Sequence, residues 1–167
     1  METSLRFGGD SKTLRIHAKE KLPIDPKTHL EVHGEFDIGV GAPSYFCAAI
    51  RHSYHDLSAS LGIGLHYDKH EKLRYSVQGK KAFAASSDGS LNFNIKGRCD
   101  VDKELREKKS RGAAELSWSV LNFQEDQDVR FKLGYELFDK VPYFQIRESN
   151  WTFNADANGR WNFRYLL

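Results

Sequence analysis

The sequence lacks any long apolar run. Of its 167 residues 40% are hydrophobic, and the mean hydropathy is −0.61. No stretch reaches the roughly 18 consecutive apolar residues that a membrane-spanning helix requires, so crossing a membrane by helices is excluded. The low hydropathy does not exclude a membrane β-barrel, because half of the residues in every barrel strand are polar.

Cysteines and targeting signals are also scarce. Cys47 and Cys99 are the two cysteines, too few for a disulfide framework, and we expect both to be free thiols. The segment from Met1 to Ser4 runs straight into patterned sequence, with neither an apolar signal-peptide core nor an Arg- and Ser-rich transit segment. We therefore expect neither secretion nor export to a bacterial outer membrane. The net charge of +2 favours no nucleic-acid partner.

What the sequence does contain is an alternation of apolar and polar residues. Between Leu57 and Tyr67 the odd positions are apolar and the even positions are small or polar. The segment from Val129 to Leu137 repeats this pattern with charged residues on the polar face. An amphipathic helix would need apolar residues spaced by three and four. The period of two therefore predicts an all-β protein.

Turn residues divide the alternating segments into about twelve predicted strands. We expect all four prolines in turns and the charged segment 100–109 in the longest loop. An even number of strands allows a closed antiparallel up-and-down barrel, here a single domain covering residues 1–167. The predicted strands are 3–8, 12–20, 28–38, 44–52, 57–67, 71–83, 90–98, 110–120, 128–138, 142–147, 150–155 and 160–167.

Charges are sorted between the faces of these strands. Most acids lie in the proposed turns, among them Asp100 and Asp102. The polar face carries five acids: Glu31, Glu35, Asp37, Glu115 and Glu136. It carries fifteen of the 25 Lys and Arg residues, which we predict to bind anions: Arg6, Arg15, Lys19, Lys21, Arg51, Arg74, Lys80, Lys96, Arg98, Arg111, Arg130, Lys132, Arg147, Arg160 and Arg164.

This sorting favours a transmembrane pore over a soluble protein. Concentrated like charge destabilises a compact soluble domain, whereas rings of Arg and Lys suit the lumen of an anion-selective pore. Alternation alone is equally typical of a soluble β-barrel or sandwich that binds anionic ligands, and this alternative stays open. Aromatic residues towards the strand ends resemble the girdles of membrane barrels: Tyr45, Tyr67, Phe83, Trp118, Phe138, Trp151, Trp161 and Tyr165.

Other chemistry has little support in the sequence. His29, Glu31 and His33 share one face of a strand and are metal-ligand types, but no fourth ligand is evident. We therefore expect no metal site and no catalytic site, and the chain is predicted not to be an enzyme.

Several segments resemble the chloroplast outer envelope pore protein 21 family. They are Met1 to Arg6, Gly8 to Lys12, Ile16 to Leu22, Asp126 to Arg130, Val141 to Glu148, Asn150 to Asp156 and Gly159 to Asn162. The resemblance implies an anion-selective, rectifying barrel in the plastid (chloroplast) outer envelope membrane. It also implies transport of triose phosphates, phosphoglycerate and inorganic phosphate, with ATP as a regulatory ligand in a cationic lumen and no other cofactor. The partners are then the lipid bilayer and these anions, and a homo-oligomer is left open.

Overall fold

The alternating segments form twelve strands, and each pairs antiparallel with its neighbours in the chain. The structure is a computed structural model that describes residues 1–8, 12–68, 73–104, 106, 108–124 and 127–167. The strands are β1 (Glu2–Gly8), β2 (Leu14–Asp25), β3 (Thr28–Asp37), β4 (Ala42–Tyr54), β5 (Ala59–Asp68), β6 (Arg74–Ala84), β7 (Leu91–Asp102), β8 (Lys108–Gln124), β9 (Gln127–Glu136), β10 (Val141–Glu148), β11 (Trp151–Asp156) and β12 (Trp161–Leu166). A 3₁₀ turn, His55–Leu57, precedes β5. In the described part of the chain, no helix has the length and apolar character needed to cross a bilayer.

The sheet closes into a barrel because β1 pairs with β12 as well as with β2. The closing register places Ser4 opposite Leu166 and Gly8 opposite Asn162. The predicted closed antiparallel barrel of twelve strands is thus confirmed.

The barrel has the reverse of a soluble protein's polarity. Large apolar side chains are exposed on its outer face: Ile63 and Leu133 are each 63% accessible, and Val77 is 56% accessible. Buried side chains in the described residues are instead mostly polar or charged, including Asp100 and Glu115 on the inner face. A contiguous exposed apolar wall is tolerated when lipid covers it. This distribution argues against the soluble alternative.

The prediction that every proline lies in a turn is wrong, since this holds only for Pro26. Pro43 and Pro142 are each the second residue of a strand, and Pro23 lies in β2 beside a register shift. Strand ends and bulges lack some ladder hydrogen bonds, so the missing N–H of proline costs little there.

Part of the segment 100–109 belongs to strands, although its dense charge had led us to predict a loop. Strand β7 continues to Asp102 and β8 begins at Lys108, while residues 105 and 107 lie outside the described residues. Asp100 pairs with Lys109, and Asp102 pairs with Arg74. The alternation continues here with charged residues on the inner face, so dense charge was a poor sign of a loop.

Tyr45 lies on the inner face next to a bulge, so its prediction as an outer girdle aromatic is wrong. Glu35 pairs with Tyr45 and Phe36 pairs with Pro43, which leaves Ser44 as an extra residue. The bulge precedes Tyr45, and from Tyr45 onwards the register of β4 is unbroken, so Tyr45 shares the inner face with Cys47 and Arg51. Its ring lies 5.1 Å from that of His33. Among the other predicted girdle aromatics, Tyr67 and Trp118 are exposed on the outer face.

Candidate functional site

The inner face of the barrel carries the predicted cations. Strand register places fourteen of them on the face opposite the exposed apolar residues, and Arg160 lines an internal cavity just before β12. Their positions follow from the period of two, because residues directly opposite each other in a sheet share a face. Whether these residues bind anions stays a prediction.

Part of this face is a row of five arginines and one threonine on adjacent strands. Each member lies directly opposite the next in the β9–β10, β10–β11, β11–β12, β12–β1 and β1–β2 registers. Like charges directly opposite one another destabilise a sheet, so this arrangement is costly for stability alone. We call it the arginine row, which consists of Arg130, Arg147, Thr152, Arg164, Arg6 and Arg15.

The arginines of this row differ in their partners. Arg6 Nη1 lies 3.2 Å from Glu35 Oε1, and Arg15 Nε lies 3.6 Å from Asp37 Oδ2. In contrast, the described residues provide no ion pair for Arg130, Arg147 or Arg164.

Neutral side chains support two of these three arginines. Arg130 Nε donates to Ser119 Oγ at 3.1 Å, and Arg164 Nε donates to Ser4 Oγ at 2.8 Å. These contacts orient the guanidinium groups without neutralising them. The unpaired arginines therefore present net positive charge to the lumen.

A second cationic cluster lies across β6, β7 and β8. Lys80 is opposite Lys96, and Arg98 is opposite Arg111. One cation of each opposing pair forms an ion pair with a carboxylate. Lys96 Nζ lies 2.6 Å from Glu115 Oε1, and Arg98 Nε lies 2.6 Å from Asp100 Oδ1. The cluster therefore holds its cations close together by pairing some with buried acids.

Glu115 is the main anchor of this region. Its side chain is 5% exposed and contacts Lys96, Lys132 at 3.7 Å, and the hydroxyl of Tyr143, which donates to it. The Tyr143 ring lies over Gly134, the residue opposite it, and a Cβ at Gly134 would overlap the ring. Glycine at this position thus permits the contact that holds Glu115.

Cavities lined by described residues lie along the inner face. Their volumes are about 630, 550 and 330 Å³. The arginine row lines the first cavity, and the second cationic cluster lines the smallest. Arg15 lines the first two, and Arg98 lines the last two, so the cavities adjoin. Cavities of about 300–1,000 Å³ hold small-molecule ligands.

Sequence reasoning missed several inner charges. Asp100, Asp102 and Lys109 face inward because the strands extend further than predicted. Asp156 also lies on this face, opposite Tyr143, and its Oδ2 is 2.7 Å from Arg160 Nε. Continuing the parity of β7 beyond Arg98 would have revealed the two aspartates. The inner face is consequently less cationic than the sequence suggested.

The geometry agrees with the comparisons with known proteins. A family model described as chloroplast outer envelope pore protein OEP21 matches residues 3–167. The chain belongs to this family. It is 58% identical to outer envelope pore protein 21A, chloroplastic, of Arabidopsis thaliana, with 100% of both chains covered. It is also 58% identical to outer envelope pore protein 21 of Pisum sativum and 44% identical to that of Oryza sativa subsp. japonica, again over 100% of both chains.

Solved porins share the fold. The NanC porin aligns with 99% of this chain and 97% of its own, at a TM-score of 0.59 and 11% identity. The KdgM porin aligns with 99% of this chain and 96% of its own, at a TM-score of 0.60 and 11% identity. Together with family membership, the porin-like barrel identifies the chain as a channel of the chloroplast outer envelope, in contact with the lipid bilayer.

The two cysteines provide a test of which face is wet. Cys47 lies on the inner face opposite His66, whereas Cys99 lies on the outer face opposite Val77. In bilayer-embedded protein, a charged water-soluble methanethiosulfonate reagent should label Cys47 and spare Cys99, because only lumenal groups meet water. Mass spectrometry should find one label, which Cys47→Ser removes and Cys99→Ser retains. Labelling of Cys99 at the rate of Cys47 would contradict the assigned faces.

Proposed function

We propose that this channel is an anion-selective, rectifying pore for phosphorylated metabolites such as triose phosphates and phosphoglycerate, and for inorganic phosphate. In this proposal ATP regulates the pore by binding in its cationic lumen, and residues 1–167 act as one pore domain without catalysis. The observation that carries the proposal is the arginine row, three of whose members have no ion pair among the described residues.

Arginine suits the proposed cargo. Its planar guanidinium matches the oxygens of a phosphate, so two neighbouring arginines can share one anion. Arg130 and Arg147 lie directly opposite each other, and an anion between them removes their repulsion. The lumen is open to water, which weakens each contact enough to permit release.

The arginine row also follows a direction suited to conduction. Arg130 is the fourth residue of β9, near the start of that strand, whereas Arg15 is the second residue of β2, near the opposite end of the barrel. From its first member to its last, the row crosses five inter-strand spacings of about 4.8 Å each. Because barrel strands are tilted by about 40° from the barrel axis, these spacings correspond to roughly 15 Å along that axis. An anion leaving one guanidinium therefore meets the next one further along the pore.

The same row offers a basis for ATP regulation. A triphosphate carries more charge than a triose phosphate and can contact several arginines at once. Multiple contacts lengthen its residence, so smaller anions are obstructed. The contacts are wet, and screening over about 10 Å at 0.1 M salt should weaken them.

The test is electrical recording from purified, refolded protein in a planar bilayer. Under a tenfold KCl gradient, we expect the current to reverse near the chloride equilibrium potential. ATP should then reduce the current, more strongly at low salt, while adenosine at the same concentration has no effect because it lacks phosphates. Reversal near the potassium potential would contradict anion selectivity, and equal effects of ATP and adenosine would contradict phosphate recognition.

A further inference from the structure

A group of metal-ligand side chains lies within the barrel beside the arginine row. The β2–β3 register places His17 opposite Glu35, and His33 lies two residues before Glu35 on the same face. One potential ligand atom from each of these residues lies within 4.8 Å of the other two. The His17 and His33 ring centroids are 4.0 Å apart. The sequence alone grouped His33 with His29 and Glu31. Strand pairing instead brings His33 close to His17 and Glu35.

A second observation is an unpartnered atom within this group. The Nε2 atom of His33 is buried and has no hydrogen-bond partner. Glu35 Oε1 lies 3.8 Å from it, which is beyond hydrogen-bonding distance. Burying a polar atom without a partner carries a desolvation penalty, which a ligand bound at this nitrogen offsets.

We propose that His17, His33 and Glu35 form a binding site for one divalent transition-metal ion, with Zn²⁺ as the best fit. Two histidines and one glutamate are a known three-ligand set for zinc, which leaves a fourth position open. Zinc–ligand distances of about 2.0–2.2 Å place tetrahedral ligand atoms about 3.4 Å apart. Rotations that move the side chains by about an ångström complete the site, and the open position takes lumenal water or an anion.

Cations around this site compete with the metal. Arg6 and Arg15 both contact Glu35, at 3.2 and 3.8 Å, and Lys19 is directly opposite His33. Arg164 Nη2 lies 3.1 Å from His17 Nδ1. Binding of zinc to Glu35 Oε1 therefore displaces Arg6 from this oxygen, whereas Arg15 contacts Oε2.

The proton positions at His17 restrict how it binds the metal. Ligation through Nε2 requires a proton on Nδ1, and Ser4 Oγ, 3.3 Å from Nδ1, can accept that proton's hydrogen bond. Arg164 can then no longer donate to Nδ1 and must move away. Arg164 thus acts as a competitor of the metal.

The test is a Zn²⁺ titration of the full refolded chain by calorimetry, together with the visible absorption of bound Co²⁺. We expect one equivalent to bind, with the absorption of a tetrahedral site. His33→Gln and Glu35→Gln should each weaken binding by about tenfold or more, because each removes a ligand. His55→Gln is the matched control, since this exposed residue lies in the 3₁₀ turn. Arg164→Gln should tighten binding by about tenfold, which a purely structural histidine cluster would not show.

Circular dichroism establishes that each variant is folded. If Glu35→Gln fails to fold because Arg6 and Arg15 lose their partner, His33→Gln and Arg164→Gln decide the result. The proposal is overturned if no stoichiometric binding occurs. It is equally overturned if folded His33→Gln binds zinc as tightly as His55→Gln.

Discussion

Replacing Arg130 and Arg147 together by glutamate should lower the permeability ratio of chloride to potassium by about tenfold or more. The two arginines face each other across β9 and β10. They have no ion pair among the described residues, so the substitution changes unpaired lumenal charge by four units. Two unit charges 4 Å apart interact by about 1 kcal/mol even in water, and several such terms combine here. The reversal potential under a KCl gradient measures the effect.

The matched control is Lys81→Glu. Lys81 lies on the outer face opposite Ala59, with its ammonium group 5.2 Å from the centre of the Phe83 ring. This substitution reverses one charge outside the lumen and should leave the reversal potential unchanged. The charge-neutral pair Arg130→Gln and Arg147→Gln should have an intermediate effect. An unchanged ratio in the glutamate variant would show that the arginine row does not determine selectivity.

Val77→Arg should lower the free energy of unfolding in lipid by about 2–4 kcal/mol, the cost of arginine near the bilayer midplane. Val77 lies on the outer face between Ile63 and Cys99 in register, and its side chain is 56% exposed. Urea titration of the protein in lipid vesicles, followed by tryptophan fluorescence, measures the change.

The adjacent residue is the control for this effect. Gln78 faces the lumen, opposite Gly62 and Arg98. Gln78→Arg introduces the same side chain into a wet environment and should cost less than about 1 kcal/mol, even with repulsion from Arg98. Equal losses for the two variants would mean that the faces of β6 do not differ in their contact with lipid.

Local patterns predicted the fold because barrel strands pair mainly with their chain neighbours. The alternation from Leu57 to Tyr67 matches β5 and the turn before it, and parity alone placed Arg130 and Lys132 on the inner face. Bulges interrupt such patterns without a clear sign in the sequence. Pro43 has the same parity as the inward-facing Tyr45, yet the extra residue Ser44 places Pro43 opposite Phe36 on the outer face.

The candidate sites depend on exact register, which is harder to predict. Asp25 pairs with Thr28 across a two-residue turn, and continuing that register would place His17 opposite Phe36. The shift beside Pro23 moves the pairing by one residue and places His17 opposite Glu35 instead. Similarly, parity predicted that Arg15 and Arg130 both lie on the inner face, but it did not predict their partners. Contacts between strands give Arg15 ion pairs with Glu35 and Asp37.

The junction between β1 and β12 has a consequence for how the barrel is made. Every other pairing joins consecutive strands, so these hairpins can form during synthesis of the chain. The β1–β12 pairing can form only after the last strand has been synthesised. Its strands have seven and six residues, and the contact between Ser4 and Arg164 spans 160 positions. An unclosed sheet has two free edges that lipid cannot satisfy. Assembly in the envelope therefore requires these edges to be shielded until β1 pairs with β12.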